Sequence, residues 1–331
     1  MIGSVSLLDI ARPGIALSLV IGLLFWMLNS GLARRILDQP NARSLHHAPT
    51  PRIGGLAVLA GMMCGWIVLD FEHLALIYIT TLMLAAVSFV DDLKSLPVWQ
   101  RFFTHLAAAG AGVLIIAGGQ TLLTIIVAML AIVWMTNLFN FMDGADGLAG
   151  GMALFGFGIF ALQAALTGEA AFASLNAVVA AAALGFLCFN FHPARVFMGD
   201  AGSIPLGFLA GLFGVMGWVK GVWPAWFPVL VFSPFIVDAT VTLIKRLLRG
   251  ERIWQAHREH YYQRLILLGH GHRKTAWLEY GLMLAVGVSA LWGAYQSSRN
   301  QAILLGGWAI IYIVLMRLID SRWNGAGNKH T

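Results

Sequence analysis

An all-α, polytopic inner-membrane bundle of about eleven transmembrane helices is the fold this sequence predicts. Three observations lead to it. First, 59% of the 331 residues are hydrophobic and only 11% are charged, where a soluble domain carries roughly 25% charge. Mean hydropathy is correspondingly high, +0.78. Second, apolar runs of span length recur from end to end, a crossing needing about 20 residues. Third, Lys and Arg collect on one side when successive connections are assigned to alternate faces. Residues 1–331 therefore read as one integral membrane domain.

The first run, 14–33, has no small-residue cleavage site of the kind a signal peptide needs, and reads as a retained span. Runs 53–69 and 74–90 are parted only by Asp70-Phe71-Glu72-His73, and runs 102–118 and 121–139 by Gly118-Gly119. Such short breaks predict hairpins between antiparallel helices. Further runs cover 149–167, 172–189, 204–219, 226–244, 276–295 and 302–319. With the N-terminus outside, all but Arg12, Lys220 and Arg299 of the 21 Lys and Arg fall on inner segments. The positive-inside rule then predicts a periplasmic N-terminus and a cytoplasmic C-terminus. The +6 charge is dispersed over these short segments, which argues against a nucleic-acid partner. Cys64 and Cys188 lie within apolar runs and read as small buried hydrophobes rather than a disulfide or a metal site.

The polar clusters fall on the inner face, near 34–52, 90–101, 139–148, 189–203 and 245–275. The central one is Asn137–Gly151, with Asn140, Asp143, Asp146 and four glycines between two apolar runs. An Asp at the centre of a membrane helix costs about 2.5–3.5 kcal/mol, so these acids are expected to face a wet cavity or a cation. If the segment is helical, Asp143 and Asp146 share one face. Segment 38–55 carries Arg43, His46, His47 and Arg52 in a proline-fixed loop, donors that suit phosphate oxygens. Adjacent carboxylates Asp91 and Asp92 close the run 74–90 and suit a Mg²⁺ site or a proton acceptor, with Lys94 near enough to help hold a phosphate. In 190–203, Gly199 and Gly202 bracket Asp200 and expose it on a loop; Asn190, Arg195 and Ser203 add polar contacts, and Phe197 offers a face for a flat ring. In 257–264, a helix would set His257, His260, Tyr261 and Arg264 on one face. No further ligand completes a zinc site there, so phosphate contact is the better reading. Asp238, inside the run 226–244, is expected to pair with Lys245 or Arg246.

The ordered set Asp-Asp, Asn-x-x-Asp-Gly-x-Asp-Gly, Phe-Met-Gly-Asp-x-Gly-Ser and His-x-x-His resembles the polyprenyl-phosphate N-acetylhexosamine-1-phosphate transferase superfamily, from Asp38 to Lys274. Arg43-Ser-Leu-His46 with Pro49-Thr-Pro-Arg-Ile-Gly-Gly55 looks most like the O-antigen-initiating branch. Ser44 stands where the N-acetylglucosamine branch typically has lysine. The consecutive triple histidine of the peptidoglycan branch is lacking, which argues against a peptide-bearing donor. The resemblance implies a UDP-N-acetylhexosamine donor, an undecaprenyl phosphate acceptor, and undecaprenyl-diphospho-sugar and UMP as products. It also implies Mg²⁺, with Mn²⁺ as a substitute, and makes a homodimer plausible. By the same resemblance Asp200 and Asp92 would hold the metal and Asp91 would be the base or positioning group. Asn140, Asn190, Asp143, Asp146 and Phe197 would hold the nucleotide. His257, His260 and Arg258 would contact pyrophosphate or sugar, with Arg43, His46, Arg52, Lys94 and Arg195 as further substrate contacts. One direct displacement is favoured over a covalent phospho-aspartate, because the acceptor is already an anionic nucleophile. The donor sugar (GlcNAc, GalNAc, FucNAc or QuiNAc) stays open.

Two other classes were weighed on the sequence. A secondary transporter for an anionic metabolite predicts polar residues near the midplane reached from both sides, against the one-sided clustering. A non-catalytic scaffold leaves the acidic positions without a reason.

Overall fold

The computed structural model describes the chain except residues 1–6, 32, 34–35, 41–43, 47, 68, 95, 253–254, 256 and 328–331. Arg43 and His47 thus lie outside the described residues. The described chain is nearly all helical. The helices are α1 (Leu7–Asn29), α2 (Gly54–Trp66), α3 (Leu74–Lys94), α4 (Val98–Ile116), α5 (Leu122–Phe141), α6 (Leu148–Leu166) and α7 (Ala170–Asn190). They continue with α8 (Asp200–Val219), α9 (Trp226–Val231), α10 (Ser233–Leu248), α11 (Tyr261–Leu265), α12 (Gly271–Ala294) and α13 (Ser298–Gly327). A π-helical turn, Ile266–His270, joins α11 to α12.

Each apolar run predicted above corresponds to helical structure, but not every run is one long helix. Among the described residues, eight helices are long and apolar enough to cross a membrane: α1, α3, α5, α6, α7, α8, the joined α11–α12 segment, and α13. The chain is a multi-pass membrane protein. Helix α2 has 13 residues, shorter than the 53–69 run that predicts it. The 226–244 run is broken at Phe232 into α9 and α10, with Pro234 in the first turn of α10. Proline lacks the N–H that would continue the ladder and clashes with the preceding turn, so an apolar run alone overstates this helix. Both cysteines are free but exposed on the outer surface, not buried.

Helix α8 is the axis of the bundle, buried at nearly every position from Ala201 to Gly217. It packs along α5, α3, α4 and α2, while α6 and α7 pair with each other and α7 with α1. Small residues make these approaches possible: a Cβ at Gly55 would come 2.4 Å from the Gly202 nitrogen, and one at Gly207 2.5 Å from the Met135 carbonyl oxygen. Close backbone approach through small residues is how helices gain packing in lipid, where apolar burial gives little. Among the described residues, the one piece of sheet is a two-residue antiparallel ladder, β1 (Leu37–Asp38) with β2 (Thr50–Pro51). It sits over the ends of α2 and α8. Phe197 N donates to Pro51 O at 2.8 Å, and Gly54 N and Gly55 N donate to Phe197 O and Met198 O, each at 2.9 Å. The hairpin and the segment before α8 are therefore one stitched unit.

Gly207→Ala should lower the thermal midpoint of the detergent-solubilised protein, by the equivalent of about 1–3 kcal/mol of overpacking. Gly158→Ala is the control, since nothing lies within 4 Å of its added methyl, and it should leave the midpoint unchanged or raised.

Candidate active site

At one end of the bundle, the loop ends of α5, α7 and α8, the starts of α11 and α12 and the β1–β2 hairpin enclose a cavity of about 340 Å³. Its wall includes Asp38, His46, Arg52, Asn140, Asp143, Asp146, Asn190, Phe197, Asp200, Gln263 and His272. Four of the five sequence clusters contribute to this wall, and Asp92, from the remaining one, lies just behind it.

Asp92, in the last turn of α3, reaches the N-terminus of α8: its Oδ2 accepts from Ala201 N at 3.4 Å, and its Oδ1 lies 3.5 Å from Arg52 Nη1. Asp200 opens α8; it is the first residue of a helix rather than the loop residue the flanking glycines suggest. Asp143 lies in the turn between α5 and α6. Burial and the neighbouring Asp200 carboxylate hold its pKa well above the usual carboxylate range, against the pull of Arg52. Arg52 also pairs with Asp38, Nε to Oδ2 at 3.4 Å. His46 stands edge-on to Phe197 at 4.9 Å. Its Nε2 is buried without a hydrogen-bond partner among the described residues, 3.7 Å from Asp38 Oδ2. The wall thus gathers acids around one guanidinium, beside an imidazole nitrogen with nothing to bond.

Asp91 points elsewhere. Its Oδ1 accepts from Leu96 N at 2.6 Å and its Oδ2 from Arg101 Nη1 at 3.1 Å. It holds the turn between α3 and α4, and its neighbour Asp92 is the one that reaches Arg52 and the start of α8 behind the cavity wall. Lys94 and Arg195 are exposed and off the cavity wall, Arg195 lying over the Phe189 ring.

Asp143 and Asp146 do not share a helical face, because 142–147 is a turn and α6 begins at Leu148. Gly147 takes φ +77°, which L-residues with a Cβ adopt poorly, and closes that turn just after Asp146, at the start of α6. Asp143 faces the Asp92–Asp200 side. Asp146 turns to His192, Nδ1 to Oδ2 at 2.6 Å, and to His272, Nδ1 to Oδ1 at 3.5 Å. Neither histidine belongs to the predicted site residues; Phe191-His192-Pro193 and His270-Gly-His272 were visible in the sequence, but nothing in their spacing linked them to Asp146. Asn190 ties these loops together, accepting from Gly147 N and donating to Val196 O, both at 2.9 Å. Asn140 accepts from Ser203 Oγ at 2.9 Å.

The 257–264 segment is not one helix: His257–His260 is irregular, and α11 starts at Tyr261. His260 caps α11 in a reciprocal box with Gln263 and is buried against Asp238, Nδ1 to Oδ1 at 3.2 Å. Asp238 also accepts from Tyr261 N at 2.9 Å and Tyr262 N at 3.0 Å. Its expected partners go elsewhere, Lys245 to Asp320 at 2.6 Å and Arg246 to Glu259 at 2.6 Å. A buried carboxylate needs several donors close by, and the start of α11 supplies them. His257 lies beside His260, ring centroids 4.8 Å apart. Burial first, then His260 and Arg246, lower its pKa to about 4. Glu259 N donates to its Nδ1 at 3.3 Å, so at neutral pH it is an uncharged imidazole with the proton on Nε2. Arg258 is exposed. Among the segment's residues, Gln263 is the one on the cavity wall, and Tyr262 Oη donates to Phe141 O at 3.3 Å.

The sequence model of glycosyl transferase family 4 matches residues 74–218. The chain is 28% identical, over 98% of its length and 96% of the relative's, to a probable undecaprenyl-phosphate N-acetylglucosaminyl 1-phosphate transferase of Bacillus subtilis. It is 27% identical to a decaprenyl-phosphate N-acetylglucosaminephosphotransferase of Mycolicibacterium smegmatis, covering 85% of this chain and 80% of that one. It is also 28% identical to a phospho-N-acetylmuramoyl-pentapeptide-transferase of Halalkalibacterium halodurans, covering 65% and 75%.

The raised pKa of Asp143 has a consequence for stability. As pH rises above the ordinary carboxylate pKa, the unfolded chain ionises here while the folded chain does not, so folded stability falls until the raised pKa is passed. In metal-free protein, Asp143→Asn should therefore gain thermal stability over wild type, and the gap should widen as pH rises above the ordinary carboxylate range, from about pH 5 upward. Thermal unfolding across that range checks it; a gap independent of pH contradicts the assignment.

Proposed function

Because this chain belongs to the polyprenyl-phosphate N-acetylhexosamine-1-phosphate transferase superfamily, we propose that it moves an N-acetylhexosamine-1-phosphate from a UDP-sugar to undecaprenyl phosphate, releasing UMP. The observation that carries this reading is the cavity of about 340 Å³ in which Asp143 and Asp200, with Asp92 behind them, meet Arg52 and the unbonded His46 nitrogen. It is a site for a diphosphate and a hard cation together.

The residues fit Mg²⁺. Three carboxylates converge with Arg52 as the cation beside them, and Mg²⁺ takes oxygen from one or two carboxylates, waters and phosphates rather than a closed protein cage. Asp200, Asp92 and Asp143 would hold it, and Mn²⁺ would substitute. When bound, it offsets the repulsion between two anionic substrates. The chain's own groups do the rest. Arg52 and His46 donate to the diphosphate, and Phe197 and Asn190 border the space for the nucleoside, with Asp146 at its edge. Asp92 stands behind the cavity wall against Arg52 and the start of α8, while Asp91, bonded to Arg101, sets the turn that carries it. His257, neutral with Nε2–H free, donates to sugar or phosphate without adding charge; His260 holds the segment in place through Asp238.

The acceptor phosphate attacks the β-phosphorus of the UDP-sugar, a P–O bond to the lipid forms, and the bond to UMP breaks with its electron pair leaving on UMP. A single displacement of this kind needs no enzyme nucleophile. The lipid tail has an apolar cleft to lie in, about 270 Å³ between α5, α8 and the α9–α10 break, bordered by Trp134, Met135, Gly211, Pro228 and Phe232. The product would start an O-antigen or related envelope polysaccharide. One membrane domain, in the cytoplasmic membrane with the cavity facing the cytoplasm, would do this as a monomer or homodimer.

The test is UMP release from a panel of UDP-N-acetylhexosamines. Release should require both undecaprenyl phosphate and Mg²⁺ or Mn²⁺. Asp92→Asn and Asp200→Asn should each lower it by roughly 100-fold or more. Wild-type rates in both variants, or no release with any donor, would refute the reading.

A further inference from the structure

Asp146, His192 and His272 come from three separate segments: the turn before α6, the segment between α7 and α8, and the first turn of α12. Among the described residues they are the three ligand-type side chains whose ligating atoms all lie within 4.8 Å of one another. Both histidines aim the same ring nitrogen, Nδ1, at the Asp146 carboxylate, one at each oxygen, at 2.6 and 3.5 Å. Their rings are parallel to within 9°, centroids 5.5 Å apart.

The hydrogen bonds around His272 set its tautomer. Its Nε2 faces Leu45 O at 3.2 Å; a carbonyl only accepts, so Nε2 carries the proton. Asp146 N donates to Nδ1 at 3.2 Å, which independently requires a lone pair there. A backbone carbonyl on the outer nitrogen is how a metal-binding histidine is held; an ion at Nδ1 would take over the lone pair that the Asp146 N–H now occupies.

We propose that Asp146, His192 and His272 bind one divalent cation of the Zn²⁺ type, at a site separate from the Asp92–Asp143–Asp200 cluster. Two imidazoles and one carboxylate, with a fourth position open, is a donor set that zinc takes. Ligand bonds of about 2.0–2.1 Å put tetrahedral donors roughly 3.3 Å apart, between the two histidine–carboxylate spacings of 2.6 and 3.5 Å; His192 Nδ1, which now donates to the carboxylate, would release its proton to solvent on binding. Asp146 and His272 both line the cavity, so the fourth position opens into it, to water or a phosphate oxygen. The two acidic sites would then sort cations by chemistry, imidazole nitrogen for the softer ion and oxygen alone for Mg²⁺. One consequence rests on the proposed function: an ion here draws Asp146 away from the nucleotide space, and so inhibits the Mg²⁺-dependent reaction.

The full-length protein in detergent is titrated with Co²⁺ in excess Mg²⁺, following visible absorption, and the bound Co²⁺ is then displaced with Zn²⁺. One Co²⁺ should bind with a four-coordinate spectrum. His192→Gln should weaken binding by at least the roughly 10–100-fold that loss of an outer hydrogen-bond partner costs, while Asp92→Asn leaves it unchanged. His192→Gln should remain monodisperse and keep Mg²⁺-dependent UMP release, and Zn²⁺ should inhibit wild type but not this variant. Co²⁺ binding unaffected by His192→Gln, binding lost in Asp92→Asn, or equal Zn²⁺ inhibition of both proteins would overturn the proposal. If no donor yields UMP, the proposed function fails, and the Co²⁺ titration still decides the site.

Discussion

The bundle is built around carboxylates that would repel one another. Asp92, Asp143 and Asp200 stand at the ends of apolar helices, close enough for their charges to act on each other, with Arg52 as the cation beside them. Burying like charges in this way is costly unless a counter-charge arrives, so the surrounding structure must hold them together against their repulsion. The glycine contact between α2 and α8 brings Arg52 and the hairpin down onto the start of α8. The α8 N-terminus places Ala201 N against Asp92, and Asp91 anchors the end of α3 to Arg101, so that Asp92 projects into the cluster.

Helices were easy to read from the sequence because lipid demands long apolar runs with satisfied backbones. The same signal misled where a proline interrupts an apolar run. Pro234 breaks the 226–244 segment without altering its hydropathy. Helix α2 also falls short of its run, ending at Trp66, with Ile67 exposed and Leu69 buried beyond it.

The site was legible as a list of residues and much less so as an arrangement. His46, Arg52, Asn140, Asp143, Asp146, Asn190, Phe197 and Asp200 do converge on one cavity. What spacing could not supply was direction. Asp143 and Asp146 part company in the turn 142–147, which an i, i+3 argument takes to be helix. Asp91 and Asp92 are adjacent, yet one is committed to Arg101 and one to Arg52 and the start of α8. His257 and His260 look alike in sequence, but His260 is consumed in capping α11 and bonding Asp238, leaving His257 its Nε2–H. His192 and His272 gave no signal, since their link to Asp146 is made only by the fold.

The central claim is that the Asp92–Asp143–Asp200 cluster binds a divalent cation that also touches the donor's diphosphate. Mn²⁺ makes it directly measurable, by electron–nuclear double resonance on the protein with Mn²⁺ and a UDP-N-acetylhexosamine. The account predicts ³¹P hyperfine coupling to the bound Mn²⁺, lost in Asp200→Asn and retained in His192→Gln. Bound Mn²⁺ without phosphorus coupling, or coupling that survives Asp200→Asn, would contradict it.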